Sequence, residues 1–171
     1  NGRDGLGANI VFSAGNSQED GLGANLKNYQ NSPYVTTVGA HSSDGTIASF
    51  SEWGSNVLLS APGDDVILPY ALGEDYKVTI DGTSFSAPAV SGVISLMLEA
   101  NDALGYRDVQ EILAMSSRQT DTDNPEWQEN GASNWNGGGM TFHHGLGYGI
   151  ADAHAAVRLA ETWDLQQTQS N

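Results

Sequence analysis

Short apolar runs separated by glycine-rich polar stretches fill the first half of the chain. Runs of β-branched and apolar residues that end at turn residues are typical of strands. This pattern predicts strands at residues 8–13, 34–40, 57–60 and 77–80. The polar segment between the first two strands is predicted to be a surface loop.

The second half of the chain has helical periodicity instead. Residues 86–100 carry apolar side chains at near-helical spacing with small residues between them, which predicts a helix buried on nearly all sides. Pro88 is expected in its first turns, where a missing N–H does least harm. Two more helices are predicted at 106–116 and 150–163. Strands followed by helices favour an α/β layered fold.

The remaining segments complete the predicted organisation. Residues 120–139 are polar and predict a long loop, and residues 166–171 predict a frayed polar tail. We expect residues 1–165 to form part of one domain. The chain opens without an initiator Met or an apolar leader, so we expect it to come from the interior of a longer protein.

Charge and composition narrow the classes of function. Twenty-one acidic and six basic residues give a formal net charge of -15. Nucleic acids and anionic membranes attract basic surfaces, so neither is expected as a partner. There are no cysteines, which excludes disulfides and thiol chemistry. No apolar run reaches the roughly 18 residues of a membrane-spanning helix.

One segment carries recognisable chemistry. Ser84 is predicted to follow a strand and to open the buried helix, where oriented N–H groups can stabilise an oxyanion. Gly82 allows the tight turn before it. A serine at this place is ordinarily only a helix cap. The hydrolase elbow Gly-x-Ser-x-Gly is not present, because residue 86 is serine.

The longer motif changes this interpretation. The segment Gly82-Thr83-Ser84-Phe85-Ser86-Ala87-Pro88 closely resembles the nucleophile signature of subtilisin-like serine proteases, the subtilases. Phe12-Ser13-Ala14-Gly15-Asn16 resembles the oxyanion segment of the same family and precedes Ser84 in the family's order. The resemblance implies that Ser84 is the nucleophile and Asn16 an oxyanion donor. It also implies that Ser13, Ala14, Gly15 and Thr83 bind substrate.

The resemblance extends over residues 8–164. Segments 98–101, 106–110 and 144–149 are similar to the kexin/furin branch, the calcium-dependent proprotein convertases. This implies a subtilisin-like three-layer fold with a mainly parallel sheet, of which the chain is the C-terminal half. It further implies a secreted or periplasmic serine endopeptidase with structural calcium, a propeptide and a following P domain.

The catalytic base and its orienting acid are expected elsewhere. The subtilase triad takes Asp and His from the N-terminal half of the domain, before the oxyanion Asn. None of the four histidines here lies in a matching context; they are His41, His143, His144 and His154. The N-terminal half is therefore an expected partner, together with a peptide or protein substrate. A pseudoprotease that lost the upstream residues is an alternative.

The specificity pocket is less clear. Glu52 falls where the branch places an acidic pocket and metal ligand, and Asp20 lies near another. Lys27 stands where the branch has a pocket aspartate, which favours a broad-specificity subtilase as a second alternative. Glu52 is otherwise a solvated surface acid. A separate acidic group could bind calcium or form a solvated loop; its members are Asp121, Asp123, Glu126 and Glu129.

Overall fold

A computed structural model describes residues 2–69, 77–131 and 139–165. The strands are β1 (Ile10–Ser13), β2 (Val35–His41), β3 (Val57–Pro62), β4 (Val66–Pro69), β5 (Lys77–Ile80), β6 (Gln128–Glu129) and β7 (Thr141–Phe142). The helices are α1 (Thr83–Ala100), α2 (Tyr106–Ser116) and α3 (Ala153–Glu161). All four predicted strands and all three predicted helices are confirmed, with bounds that shift by up to three residues. The predicted tail, 166–171, lies outside the described residues.

A parallel sheet organises the fold. Its strand order is β1-β2-β3, and Ile10 pairs with Val35 while Thr37 pairs with Val57. Parallel neighbours need a crossover connection, and the predicted loop between β1 and β2 supplies it. It contains short 3₁₀ turns at Gln18–Asp20 and Ala24–Leu26. Since parallel strands end at the same edge, the residues that follow β1 and β3 are brought together there.

Helix α1 begins at Thr83, three residues before the predicted start. Pro88 is therefore the sixth residue of the helix, beyond the free first turn. Its ring nitrogen cannot donate to the carbonyl of Ser84 four residues earlier. The proline therefore costs one hydrogen bond inside the helix, more than it would in the first turn, and it leaves the turn that carries Ser84 less tied to the helix above.

One side of α1 is buried, not nearly all of it as predicted. Val90, Ile94 and Met97 lie in the main core, but Leu96 on the other side is 49% exposed. In the described part of the chain, α1 packs against the sheet and α3 but has no cover on its outer side. Apolar residues thus occur on all sides of α1, but the described residues bury only one side of it.

Helices α2 and α3 complete the core. Leu104, Val109, Ile112 and Leu113 are fully buried with Leu59 in the same cluster. Both helices are capped by a carboxylate. Asp108 accepts from the Gly105 N–H at 2.8 Å, and Asp152 accepts from the Ala155 N–H at 2.9 Å. Such bonds satisfy N–H groups at or beside the helix start.

Two small antiparallel pairs lie outside the parallel sheet. Strand β4 pairs with β5, and β6 pairs with β7. Strand β4 was not predicted, because it is only four residues long, partly exposed along its length and closed by a proline. Strand β6 falls inside the predicted loop 120–139. In the described part of the chain, no helix combines the length and the apolar character needed to cross a membrane.

Candidate active site

Ser84 is an exposed residue in the first turn of α1. Within the described residues no hydrogen bond engages its hydroxyl or its backbone N–H. The N-terminus of a helix carries partial positive charge and unpaired donors. The Ser84 hydroxyl is thus accessible as a nucleophile, and its own N–H is available to stabilise negative charge beside it.

The start of α1 is fixed to the end of β3. The buried Ser86 hydroxyl donates to the carbonyls of Ala61 and Pro62 at 3.0 and 3.2 Å. The Gly82 N–H donates to the Gly63 carbonyl at 2.7 Å. A Cβ atom at Gly63 would overlap the Ser86 hydroxyl. This close approach requires glycine and holds the turn that carries Ser84.

Asn16, just beyond β1, is oriented by Thr83. Its Oδ1 accepts from the Thr83 N–H at 2.9 Å and from the Thr83 hydroxyl at 2.6 Å. A backbone N–H can only donate, so the amide oxygen must face Thr83. The Asn16 Nδ2 then lies near Gly82, where a Cβ atom would be 3.3 Å away. No described residue accepts a hydrogen bond from Nδ2, which leaves it available to a developing oxyanion beside Ser84.

Thr83 connects the start of α1 to the segment that follows β1. Its side chain is fully buried, donates to Asn16 and accepts from the Gly15 N–H at 3.2 Å. Thr83 thus links Gly15 and Asn16 to the helix start, and its contact with substrate stays a prediction.

The segment Ser13–Gly15 leads from the sheet edge to Asn16. The Ala14 N–H donates to the Val38 carbonyl at 2.8 Å, and the Ala14 side chain is fully buried. Ser13 and Gly15 are partly exposed. Gly15 has φ of +122°, and a Cβ atom there would overlap Lys27 Nζ and Glu52 Oε1. Glycine is therefore required at residue 15 for two reasons: the left-handed backbone conformation and the lack of space for a side chain.

Glu52 is buried and ion-paired. Its side chain is 1% exposed, and Oε1 lies 2.7 Å from Lys27 Nζ, whose side chain is 34% exposed. Oε1 also accepts from the Ser17 N–H at 3.2 Å, while Oε2 is buried with no hydrogen-bond partner in the described structure. The interpretation of Glu52 as a solvated surface acid is wrong.

Calcium does not fit this place as the residues stand. Calcium takes six to eight oxygen ligands, whereas Glu52 already holds an ammonium. Asp20 is exposed at the end of a 3₁₀ turn and does not join Glu52 in a ligand group among the described residues. The sequence signal was Lys27, whose charge opposes a cation beside Glu52.

A different acidic group comes together at the mouth of the β4–β5 hairpin. Oxygens of Asp64, Asp65 and Asp81 lie within 4.8 Å of one another. Asp81 Oδ1 accepts from the Asp65 N–H at 2.9 Å. Sequence reasoning missed this group because 16 residues separate Asp65 from Asp81. The acidic residues predicted as an alternative ligand set in 121–129 form no such group in the described structure.

The histidines have structural surroundings. His143 is fully buried, its Nδ1 accepts from the N–H groups of Gly145 and Leu146, and burial lowers its pKa. His41 is buried at the end of β2, and burial lowers its pKa also. His144 and His154 are exposed. No described hydrogen bond joins any of the four to Ser84.

Comparison with known proteins finds relatives that match nearly the whole chain. The chain is 32% identical over 163 residues to endoprotease aex-5 of Caenorhabditis elegans and 32% identical over 167 residues to human furin. It is 34% identical over 165 residues to protease KEX1 of Kluyveromyces lactis. Each match covers 95% of this chain but only 29%, 20% and 21% of the respective relative. The chain thus spans less than a third of these relatives.

Solved structures show the same fold. A serine protease of Aeromonas sobria superposes with a TM-score of 0.80 at 21% identity, over 95% of this chain and 38% of that one. A protease of Pseudoalteromonas arctica superposes with a TM-score of 0.68 at 27% identity, over 90% and 43%. The sequence model described as the subtilase family matches residues 1–149 of the 171. On this match and on the geometry around Ser84, the chain belongs to the subtilase family.

Proposed function

We propose that this chain supplies the nucleophile and the oxyanion site of a kexin-like serine endopeptidase. The observation that carries the proposal is the pair of hydrogen bonds from Thr83 to Asn16 Oδ1. They turn the Asn16 amide nitrogen away from Thr83, and it lies near Gly82, two residues before Ser84. Preorganised donors at the site of developing charge are usually the largest catalytic contribution.

The reaction follows from these positions. The Ser84 oxygen attacks the peptide carbonyl carbon as its proton passes to a base. The carbonyl oxygen becomes an oxyanion that accepts from Asn16 Nδ2 and the Ser84 N–H. Collapse breaks the C–N bond, the base returns the proton to the leaving amine, and an acyl-enzyme remains. Water then attacks the ester and releases the new carboxyl terminus and Ser84.

The base and its orienting carboxylate are proposed to come from a segment outside this chain. None of the four histidines reaches Ser84 in the described structure. Ile10 on β1, which pairs only with β2 among the described strands, is 45% exposed, and Leu96 on α1 is 49% exposed. We propose that the rest of the catalytic domain covers these apolar surfaces and brings the Asp and His. The relatives' greater length supports this.

Labelling with a fluorophosphonate tests the proposal. Such a probe reacts only with an activated serine. We expect it to label Ser84, identified by peptide mapping, when the chain is part of the longer polypeptide with its upstream segment. Ser84→Ala should abolish labelling, and Ser91→Ala, an exposed serine elsewhere on α1, should not. If the longer polypeptide stays unlabelled, the pseudoprotease alternative is favoured.

We also propose a bound ion, a cellular location and further partners for the intact enzyme. We propose structural calcium in the intact enzyme, with Asp64, Asp65 and Asp81 as the described residues that could hold it. The ion would there neutralise three carboxylates. The kexin/furin relatives support a secreted or periplasmic enzyme that works with a propeptide and a P domain on peptide substrates. The net charge of -15 supports neither nucleic-acid nor membrane partners.

A further inference from the structure

Lys27 occupies the space behind the segment that leads to the oxyanion donor. Its Nζ donates to Glu52 Oε1 at 2.7 Å and to the Ala14 carbonyl at 3.4 Å. It is so close to the Gly15 α-carbon that a Cβ atom there would overlap it. The ammonium therefore lies against Ser13–Gly15, one residue from Asn16. On the proposed function, this segment is a wall of the primary substrate pocket.

Of the two charged side chains behind this wall, only that of Lys27 is partly exposed. The Lys27 side chain is 34% exposed, whereas that of Glu52 is 1% exposed and already holds the ammonium. A basic substrate side chain that reaches the wall meets the ammonium first and finds the carboxylate taken. An ammonium has three hydrogens, and Lys27 uses two of them on described partners. The third is available to a substrate acceptor.

We propose that Lys27 determines the primary specificity of this protease. Its ammonium disfavours arginine and lysine before the cleaved bond and favours side chains that carry a hydrogen-bond acceptor: glutamine, asparagine, glutamate or aspartate. This inference rests on the proposed function and names its substrate class. It separates the chain from an enzyme whose pocket presents free carboxylates to basic residues, since here the cation is built in.

The test uses the longer polypeptide that contains this chain and labels with fluorophosphonate. Four fluorogenic peptides that differ only before the cleaved bond, with Gln, Glu, Leu or Arg, are compared by kcat/KM. We expect Gln and Glu to exceed Arg by about tenfold or more, on the scale of one desolvated like-charge contact. A preference for Arg in the unchanged protein would overturn the proposal.

Variants identify Lys27 as the cause. Lys27→Met frees the Glu52 carboxylate for a substrate cation, so the Arg/Leu ratio should rise about tenfold or more. Lys27→Arg keeps the charge and should keep the discrimination against Arg. Arg158→Met removes an exposed positive charge on α3 and should leave all ratios unchanged. An unchanged Arg/Leu ratio in Lys27→Met would refute the proposal.

Two further controls keep the result interpretable. If Lys27→Met does not fold, Lys27→Met with Glu52→Gln removes both charges and avoids a buried unpaired carboxylate. That double variant should lose the preference for Glu over Leu and the discrimination against Arg. Labelling of Ser84 in each variant separates the proposed protease function from the proposed role of Lys27. Absence of labelling in the unchanged protein contradicts the protease function, whereas a labelled protein with a basic preference contradicts the role of Lys27.

Discussion

Replacing Thr83 by valine should slow catalysis through Asn16. Valine keeps the shape of the buried side chain and deletes the 2.6 Å bond to Asn16 Oδ1 and the acceptor for the Gly15 N–H. The 2.9 Å bond from the Thr83 N–H remains. The amide of Asn16 is then held by one bond where it had two.

The size of the effect can be bounded. Loss of a whole oxyanion donor costs about 3 kcal/mol, or 10²–10³ in kcat. A single neutral hydrogen bond contributes about 0.5–1.5 kcal/mol net. We therefore expect Thr83→Val to lower kcat by about 3- to 10-fold with a smaller change in KM, and Asn16→Ala to lower kcat by at least about 100-fold.

A double-mutant cycle shows whether Thr83 acts through Asn16. If it does, Thr83→Val should change kcat by less than about twofold when Asn16 is already alanine. The measurement is steady-state kinetics on the longer polypeptide, with thermal unfolding of each variant as a control for folding. An equal fold loss in both backgrounds, or a rise in KM at constant kcat, would refute the positioning role.

Three further predictions concern stability. Gly15→Ala should destabilise the fold by roughly 2–4 kcal/mol in urea unfolding, because alanine at φ of +122° would overlap Lys27 and Glu52; an unchanged midpoint would show that this wall yields. Burial lowers the pKa of His143 in the folded protein below its ordinary value of 6.5. The contribution of neutral His143 to folding stability is therefore complete above pH 6.5 and declines as pH falls through the lower pKa of the folded state. The melting temperature should drop on acidification, and His143→Asn should flatten that slope. Burial, and to a lesser degree the nearby Asp108 carboxylate, raises the pKa of Glu111 from 4.5 to about 7. The contribution of Glu111 to folding stability is therefore complete below pH 4.5 and is lost as pH rises through about 7. Glu111→Gln should stabilise the protein at pH 8 but not at pH 4, and equal effects at both pH values would contradict the shift.

What the sequence could predict was local. The strands and helices follow from runs of a few residues, and the two motifs that contain Ser84 and Asn16 are each contiguous. The start of α1 was misplaced because contacts with distant segments hold it, among them the Thr83 N–H bond to Asn16, 67 residues earlier. Strand β4 was missed because its stability comes from pairing with β5, and four residues carry little pattern of their own.

Contacts between distant segments account for the rest. The sequence showed that Lys27 replaces an acid typical of the branch, and separately that Glu52 occupies an acidic position. It did not show that the two pair, because 25 residues and a crossover separate them. The consequence is large, since the pairing turns an expected metal ligand into the buried partner of an ammonium.

The topology explains why these groups meet. Asn16 follows β1 and Gly63 follows β3, so both lie at the edge where the parallel strands end. The Gly63 carbonyl accepts from the Gly82 N–H, which brings the start of α1 to that edge. Thr83 follows Gly82 and bonds to Asn16 at the same edge. Hydrogen bonds between the start of α1 and the segments that follow β1 and β3 therefore position Ser84 and Asn16, the proposed nucleophile and oxyanion donor. We expect substitutions at Gly63 to disturb catalysis, because a Cβ atom there would overlap the Ser86 hydroxyl that fixes this helix start.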